Sequence, residues 1–286
     1  MQPDTHLDRS ITRISYHDFI NFELIYFFQA NLERCIPSVA DGLKLSSRKI
    51  LFTLFKCNKK VTVEQLASDV SKTCSYHHSQ QSLAKTIVRM AQDYVGSPNN
   101  VNLLDPDGQF GSRISGGKDA SNPKYIFTEL SVMARVLFPN DDDVHLQYLK
   151  EDGKTIEPLC YMPVIPTVLV NGARGVGSGW STFIPKYDPR EIAENIRRLL
   201  KGEVMIAMDP WYRKFKGTIE KVKSKAGVTT ASKEGPCTYK TSGLFEVINE
   251  TTLVITELPV YKWTKKYISF LQDTKEKGFI QVEFLL

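Results

Sequence analysis

The sequence has 286 residues, of which 42% are hydrophobic and 24% charged, values that fit a folded globular chain and exclude a mostly disordered one. The length suits one large domain or two modest ones, and a net charge of +5 does not by itself identify a nucleic-acid-binding protein. No apolar run approaches the roughly 18 residues of a membrane helix, no signal peptide is visible, and five scattered cysteines argue against a disulfide framework or a zinc site.

Helices are predicted at the start of the chain. Ser15, with an acid three residues later, is typical of a helix N-terminus, and residues 15–32 predict a strongly apolar helix. Residues 36–45 predict a loop. Ser46 is the expected N-cap of the next helix, whose apolar stripe leaves Arg48 and Lys49 mostly on the outer side.

Positive charge is concentrated around this second helix. Between residues 34 and 60 the chain has seven basic residues and one acid, a net +6 within 27 residues. Such a concentration suits a phosphate-facing surface, although a merely solvated surface is the alternative. The basic residues are Arg34, Lys44, Arg48, Lys49, Lys56, Lys59 and Lys60.

A pair of helices follows. Thr62 is the expected cap of a short helix over 63–70, and a second helix is predicted from Ser79 to residue 95, with Gly96 as its stop. The polar connection 72–78 makes the pair resemble a helix-turn-helix, with an ordinary helical corner as the alternative. Residues 101–127 are rich in Gly, Asp and Ser and predict a hairpin-like appendage, and a helix is expected over 127–138.

The second half predicts an α+β region. A β-prone stretch (161–170) leads into a glycine cluster (171–180), and Asp188 is the expected cap of a helix that Gly202 closes. Strand-like runs are expected at 218–222, 244–248 and 252–257, with a Lys- and Ser-rich loop over 221–240. The apolar ending Phe284–Leu286 suggests a piece of a longer protein.

Several motifs fail when their spacing is checked. Residues 111–118 resemble a phosphate-binding loop, but Ser112 and Asp119 stand where Gly and Ser or Thr are required. The glycine cluster is followed by Trp180 and prolines instead of a helix, which disfavours a dinucleotide site. His77 and His78 are adjacent and have no third ligand at a suitable spacing, so we expect no metal site.

One cluster indicates chemistry. Tyr125 follows two glycines and two lysines, Lys118 and Lys124, on the predicted appendage. A phenol has a pKa near 10, so its attack on a phosphodiester needs cations that stabilise the phenolate and the charge on the phosphorane. Arg34, Lys124 and the two histidines are residues of that type. The alternative is a packed aromatic residue in a strand.

Four sequence blocks carry a family resemblance: IPSVADGLKLSSRKILFTLFK (36–56), SYHHSQQSLAKTIVRMAQDYVGSPNN (75–100), GQFGSRISGGKDASNPKYIFTEL (108–130) and PVIPTVLVNGARGVGSGWSTFIP (163–185). They resemble, in order, the breakage–reunion region of type IIA DNA topoisomerases. The YHH and GGKDA versions resemble the eukaryotic topoisomerase II branch, cellular or viral, more than bacterial gyrase A. ITELPVYKWT (255–264) resembles the tower segment of the same family.

The resemblance implies residue roles. Tyr125 would be the nucleophile that forms a transient 5′-phosphotyrosyl bond, beside Lys124, which stands where the family usually has arginine. Arg34 and His78 would contact the scissile phosphate. Val176 would be the apolar wedge that bends the DNA, with neighbouring glycines allowing close approach to the duplex. The remaining implied DNA contacts are Lys44, Arg48, Lys49, His77, Arg113 and Lys118.

The resemblance also implies architecture and partners. Residues 1–160 would be a winged-helix DNA-gate domain carrying the tyrosine, and residues 161–286 a partial α/β tower domain. The partners would be double-stranded DNA and, in the full-length enzyme, a second copy, with no membrane. No cofactor is expected in this chain, whereas Mg²⁺ and ATP are implied for the full-length enzyme.

The same reasoning predicts that the isolated chain binds DNA without cleaving it. The expected location is the nucleus or, for a viral member, the host cytoplasm. A non-catalytic winged-helix DNA-binding module is the main alternative function, and a small-molecule enzyme built on the glycine cluster is disfavoured by the failed nucleotide motifs.

Overall fold

The chain mixes helices with short antiparallel strands, as the α+β prediction requires. The computed structural model describes residues 10–222, 238–278 and 280. The apolar ending and most of the predicted 221–240 loop lie outside these residues. Within them, no helix has both the length and the apolar character needed to cross a bilayer.

Helices and short strands are interspersed along the chain. The helices are α1 (Tyr16–Phe19), α2 (Ile25–Cys35), α3 (Leu45–Cys57), α4 (Val63–Thr73), α5 (Gln80–Ala91), α6 (Val132–Leu137), α7 (Thr167–Val170), α8 (Pro189–Leu200) and α9 (Thr264–Glu276). The strands are β1 (Val61–Thr62), β2 (Leu104–Asp107), β3 (Phe127–Leu130), β4 (Tyr148–Glu151), β5 (Lys154–Pro158), β6 (Ala173–Gly177), β7 (Trp180–Ile184), β8 (Thr218–Val222), β9 (Thr238–Ser242), β10 (Leu244–Asn249) and β11 (Thr252–Glu257).

The first helical segment begins where the sequence predicts. The Ser15 side chain accepts a hydrogen bond from the Asp18 backbone N–H, and a π-helical turn over Ile20–Leu24 joins α1 to α2. The segment continues to Cys35, three residues beyond the predicted end. None of its residues is fully buried in the chain.

Helices α3, α4 and α5 form the centre of the core. Ile50, Leu51 and Leu54 on α3 are buried with Leu66 of α4 and Ile87 of α5. Burying each such side chain contributes about 1.5–3 kcal/mol, so this three-helix contact is the main stabilising element. The predicted cap of α3 is wrong, because the helix starts at Leu45 with Lys44 as N-cap and no side-chain cap.

The predicted Thr62 cap and the predicted helix start near Ser79 are confirmed, and one predicted helix end is wrong. The Thr62 and Ser79 side chains accept N-terminal amide hydrogen bonds of α4 and α5. Helix α5 ends at Ala91, not at residue 95, because side chains from the following loop bond its last carbonyls. Asn99 Nδ2 donates to Arg89 O at 2.7 Å, and Asn102 Nδ2 donates to Ala91 O at 2.8 Å.

A three-stranded antiparallel sheet follows the helices, in the order β1-β3-β2. Its middle strand β3 occupies residues that the sequence predicts as the start of a helix. Thr128 is buried there and donates its hydroxyl to Asp105 O at 2.8 Å. These residues form a strand instead of the predicted helix because β3 is hydrogen-bonded to β1 on one edge and to β2 on the other. The helix begins only after Ser131, whose side chain caps α6.

The second half is built from hairpins around α8. The strand predicted at 161–170 is wrong: Pro163 and Pro166 lack the N–H a ladder needs, and the stretch ends in the short helix α7. The glycine cluster forms the β6–β7 hairpin. Asp188 caps α8 as predicted, and Gly202 follows its end with φ +75°. Strands β8, β10 and β11 lie where predicted.

Polar side chains connect the two halves. Asn171 Oδ1 accepts from the backbone N–H groups of Asn100 and Val101 at 2.8 and 2.9 Å. The Asn100 side chain donates to Trp211 O at 3.0 Å. The buried Lys186 donates to Ser97 O. Specific hydrogen bonds therefore join the two halves on either side of residue 160. The division of the chain into two domains at this residue stays a prediction.

Candidate nucleic-acid interface

Tyr125 lies on the surface at the end of the long connection between β2 and β3. Its backbone N–H donates to Asn122 O at 3.0 Å, and that of Lys124 donates to Asn122 Oδ1 at 3.1 Å. The next residue, Ile126, is buried in the core. The segment is therefore fixed from one side, while the Tyr125 ring is 76% exposed and free to meet a ligand.

The connection that carries Tyr125 is built around its glycines. Gln92 Nε2 donates to Phe110 O at 2.9 Å and to Gly117 O at 3.1 Å. A Cβ on Gly111 would lie 2.6 Å from Gly117 Cα, and Gly111 has φ +98°. Close backbone packing therefore requires glycine at these positions of the stretch.

Arg34 and His78 are brought together from positions 44 residues apart. Arg34 Nη1 lies 3.4 Å from His78 Nε2, at the end of α2 and just before α5. The Tyr76 ring packs edge-on against His78 with centroids 5.4 Å apart. Both polar side chains are exposed, so their nitrogen atoms are accessible to solvent.

His77 has a different partner from its neighbour. Its Nε2 lies 2.7 Å from Glu151 Oε1 on the β4–β5 hairpin. Tyr125 is separate again: within residues 10–222, 238–278 and 280, no hydrogen bond or ring contact joins its side chain to Arg34 or His78. Among the described residues, Tyr125 and the Arg34–His78 pair are therefore not bonded to each other.

Arg48 corrects the sequence interpretation. It is buried, and its guanidinium donates to both carboxylate oxygens of Asp41 at 2.8 and 3.0 Å. Asp41 also accepts from the backbone N–H groups of Leu43 and Tyr161. Arg48 therefore organises the 36–45 loop, and its charge is already paired with a buried carboxylate.

Lys49 is corrected for the same reason. Its Nζ lies 2.7 Å from Glu157 Oε1 and donates to Cys74 O at 2.8 Å. Both charged side chains are buried. The outer surface of α3 is covered here by the β4–β5 hairpin, which the helical pattern of α3 alone does not indicate.

Arg113 is a third correction. Its Nη1 donates to Glu257 Oε1 at 2.9 Å, and its Nη2 donates to Leu258 O. The residue therefore fastens the tyrosine-bearing connection to the end of β11, and its guanidinium is occupied by the protein itself.

Lys118 and Val176 remain on the surface, as a DNA contact requires. Lys118 lines an open cavity of about 380 Å³ together with Trp263, Lys265 and Lys266. Val176 is 70% exposed on β6.

The glycines beside Val176 have a packing role within the chain. A Cβ on Gly175 would lie 2.7 Å from Cys35 O, and one on Gly177 would lie 2.7 Å from Leu32 Cδ2. These glycines allow β6 to pack against α2. The expectation that they also allow close approach to a duplex stays a prediction, and Val176 itself stays accessible.

Lys44 lies half-buried at the start of α3, next to two arginines that sequence reasoning did not single out. Burial lowers the pKa of Lys44; the nearby Cys35 raises it, and the positive charges of Arg89 and Arg174 lower it further.

Sequence reasoning also missed Asp41 and Glu157, two buried acids that neutralise the buried cations Arg48 and Lys49. Asp41 had one visible signal: it is the single acid in the basic run.

The described part of the chain contains no group of three His, Cys, Asp or Glu side chains that could hold a metal ion. The residues that the structure describes therefore do not form a Mg²⁺ site.

Known proteins resemble this chain along most of its length. The family model for the A subunit of DNA gyrase/topoisomerase IV matches residues 34–284. DNA topoisomerase 2 of Arabidopsis thaliana is 59% identical over 275 residues, which are 96% of this chain and 18% of that protein. Human DNA topoisomerase 2-alpha is 50% identical over 268 residues, covering 93% of this chain and 17% of that protein.

A solved structure is similar in fold as well. The crystal structure of the Plasmodium falciparum topoisomerase II DNA-binding, cleavage and re-ligation domain aligns with a TM-score of 0.85 and 44% identity. The alignment covers 98% of this chain and 37% of that chain. This chain therefore spans less than a fifth of the two curated relatives.

Proposed function

Because the chain belongs to the DNA gyrase/topoisomerase IV family, we propose that it is the DNA-binding and cleavage core of an ATP-dependent type II DNA topoisomerase of the eukaryotic branch. The observation that carries this proposal is the exposed Tyr125 ring, together with the exposed Arg34–His78 pair. Helices α4 and α5 with the β1-β3-β2 sheet and its long connection constitute the winged helix of residues 1–160. Residues 161–286 constitute part of the tower.

The chemistry is a reversible transesterification. Tyr125 Oη forms a bond to a DNA phosphorus while the bond from phosphorus to the 3′ oxygen breaks; the phenol releases its proton, and the 3′ oxygen takes one up. Lys124, Arg34 and His78 stabilise the negative charge that develops on the phosphate oxygens. Because the energy of the broken bond is retained in the tyrosyl ester, the 3′ hydroxyl can reverse the reaction.

A second copy of the chain completes each site. In one copy Tyr125 is accessible and has no direct bond to the Arg34–His78 pair. Each of the two groups can therefore meet residues of a second copy. We assign the tyrosine and Lys124 to one protomer of a two-fold dimer and Arg34 with His78 to the other. Two such sites cut the two strands of one duplex.

The surrounding surface holds the duplex. Lys44, His77 and Lys118 contact the phosphate backbone, and Val176 inserts at a base step and bends the DNA. Affinity is therefore expected to fall steeply with salt, and sequence preference follows bendability rather than base contacts. The place of action is the nucleus, because the relatives named above are enzymes of cellular eukaryotes.

The test is covalent trapping on DNA. The full-length enzyme, with Mg²⁺ and a labelled duplex, is compared with its Tyr125→Phe variant in a denaturing gel. The proposal expects a protein–DNA adduct that the variant lacks. An adduct retained in the variant, with the variant bound to DNA as tightly as wild type, would leave only a non-catalytic winged-helix DNA-binding module.

A further inference from the structure

We propose that Asn122 is a positioning residue for the cleavage reaction. Its side chain holds the backbone of the reactive pair, Lys124 and Tyr125, in the conformation that presents the phenol to a DNA phosphorus. The inference rests on the proposed function and deepens it, because it assigns a role to a residue outside the reacting groups.

The backbone on either side of the reactive pair is fixed to the start of α4. Pro123 O accepts a hydrogen bond from the Glu64 N–H at 3.1 Å, and Ile126 O accepts one from the Val63 N–H at 3.0 Å. The Ile126 side chain is also buried in the core. The reactive pair is therefore a two-residue exposed segment between two anchored residues.

The side chains of the reactive pair are not held by the protein in the same way. The Tyr125 ring is largely exposed, and within residues 10–222, 238–278 and 280 it makes no hydrogen bond or ring contact. Lys124 is exposed as well, and among those residues it forms no ion pair. The directions of both side chains therefore depend on the backbone conformation of the pair itself.

Asn122 fixes that backbone with two acceptors. Its side-chain Oδ1 accepts the Lys124 N–H at 3.1 Å, and its backbone O accepts the Tyr125 N–H at 3.0 Å. Pro123 suits the turn between them, because the proline ring presets the φ angle that the second position of a β-turn favours. In the part of the chain that the structure describes, Asn122 is the one side chain that hydrogen-bonds to the reactive pair.

The reaction is sensitive to this turn because the phenolic oxygen lies at the far end of a long, rigid side chain. A rotation of the Tyr125 backbone moves that oxygen further than it moves the Cα atom, and misplacement of a reacting atom by about 1 Å can cost about 10²-fold in rate. Asn122 itself is exposed. Loss of one exposed hydrogen bond has little effect on folding, so the chain should stay folded without it.

The experiment measures the single-turnover rate of DNA cleavage by the full-length enzyme with Mg²⁺, and its affinity for the same labelled duplex. Asn122→Ala removes the Oδ1 acceptor, and Asn122→Ser returns a hydroxyl that can accept the same bond. The matched control is Asn249→Ala on the β10–β11 hairpin. Asn249 Oδ1 accepts the Thr251 N–H at 3.0 Å, so this variant loses the same kind of bond elsewhere in the chain.

Asn122→Ala is expected to cleave about tenfold more slowly at unchanged duplex affinity, because the phenol is misplaced while the phosphate contacts remain. Asn122→Ser should recover most of the rate, and Asn249→Ala should match wild type. The inference is overturned by a wild-type rate in Asn122→Ala, by equal losses in the Ala and Ser variants, by a comparable loss in Asn249→Ala, or by a loss of rate that a loss of affinity explains.

Failure of this inference is distinct from failure of the proposed function. A wild-type enzyme that forms no adduct at Tyr125 would overturn the proposed function. A Tyr125 adduct that forms as fast in Asn122→Ala as in wild type would overturn the positioning role alone.

A second measurement tests the turn without DNA. Backbone hydrogen exchange, followed by mass spectrometry on the full-length enzyme, should be faster in peptides covering residues 122–126 of Asn122→Ala than of wild type, because the Lys124 N–H loses its acceptor. Unchanged exchange in α4 and matching thermal melts are expected, since the variant stays folded. Equal exchange of the 122–126 peptides in the two proteins would contradict the role of the Asn122 side chain.

Discussion

Two groups of cations near the start of α3 differ in what they face. Arg48 and Lys49 are buried, and each binds a buried carboxylate from elsewhere in the chain. Lys44, Arg89 and Arg174 lie further out, and within the described residues none of them has an ion pair. The difference teaches that the position of each acid in the fold determines which cations are held in buried ion pairs and which stay without one.

The largest expected effect comes from removing an acid of the buried group. Asp41→Ala leaves the Arg48 guanidinium buried without a counter-charge, which typically costs about 3–5 kcal/mol of unfolding free energy. Urea denaturation measures it. The double variant Asp41→Ala/Arg48→Met should recover much of the loss, because no unpaired charge remains buried.

The exposed group provides the control for that prediction. Arg89→Ala should change the unfolding free energy by less than about 0.5 kcal/mol, because an exposed cation without a partner contributes little. Equal losses for Asp41→Ala and Arg89→Ala would remove the distinction between the two groups.

A second prediction concerns an exposed cation at the reaction centre. Lys124→Ala in the full-length enzyme should slow DNA cleavage by about 10²-fold, because one group that stabilises the developing charge is lost. Lys124→Arg should retain most of the rate, since the charge is kept. Single-turnover cleavage assays measure both, and equal rates for the two variants would take Lys124 out of the mechanism.

Lys186 is a third kind of cation. It is buried, and within the described residues it forms no ion pair with an acid. Its Nζ lies 5.6 Å from the Tyr212 ring centroid, and burial lowers its pKa from 10.5 to about 8. The unfolded chain therefore holds more protons between these values, so stability should rise from about pH 8 towards pH 10.5.

The expected gain over that window is on the order of 2 kcal/mol. Urea denaturation at several pH values, in wild type and in Lys186→Met, isolates it by subtraction. A difference between the two proteins that does not change with pH would show that Lys186 stays charged in the folded chain.

Local signals predicted much of the secondary structure. Thr62, Ser79 and Asp188 cap helices with their own side chains, and that chemistry is visible within a few residues. The end of α5 was not predictable in this way, because Asn99 and Asn102 reach back to it from a loop.

Long-range contacts explain the errors at the site. Lys49 and Glu157 are 108 residues apart, and Arg113 and Glu257 are 144 apart. No pattern within α3 or the tyrosine-bearing connection reveals those partners. The residues expected at the phosphate that lie on the surface, Tyr125 and Lys124, were identified through their own chemistry and the family resemblance.

The most direct test of the account is to identify the atom that DNA becomes attached to. The full-length enzyme is trapped on a duplex, digested with protease and nuclease, and analysed by mass spectrometry. The account predicts a 5′-phosphorylated nucleotide on the peptide that contains Tyr125, at the phenolic oxygen. Attachment to another residue, or through a 3′ phosphate, would contradict it.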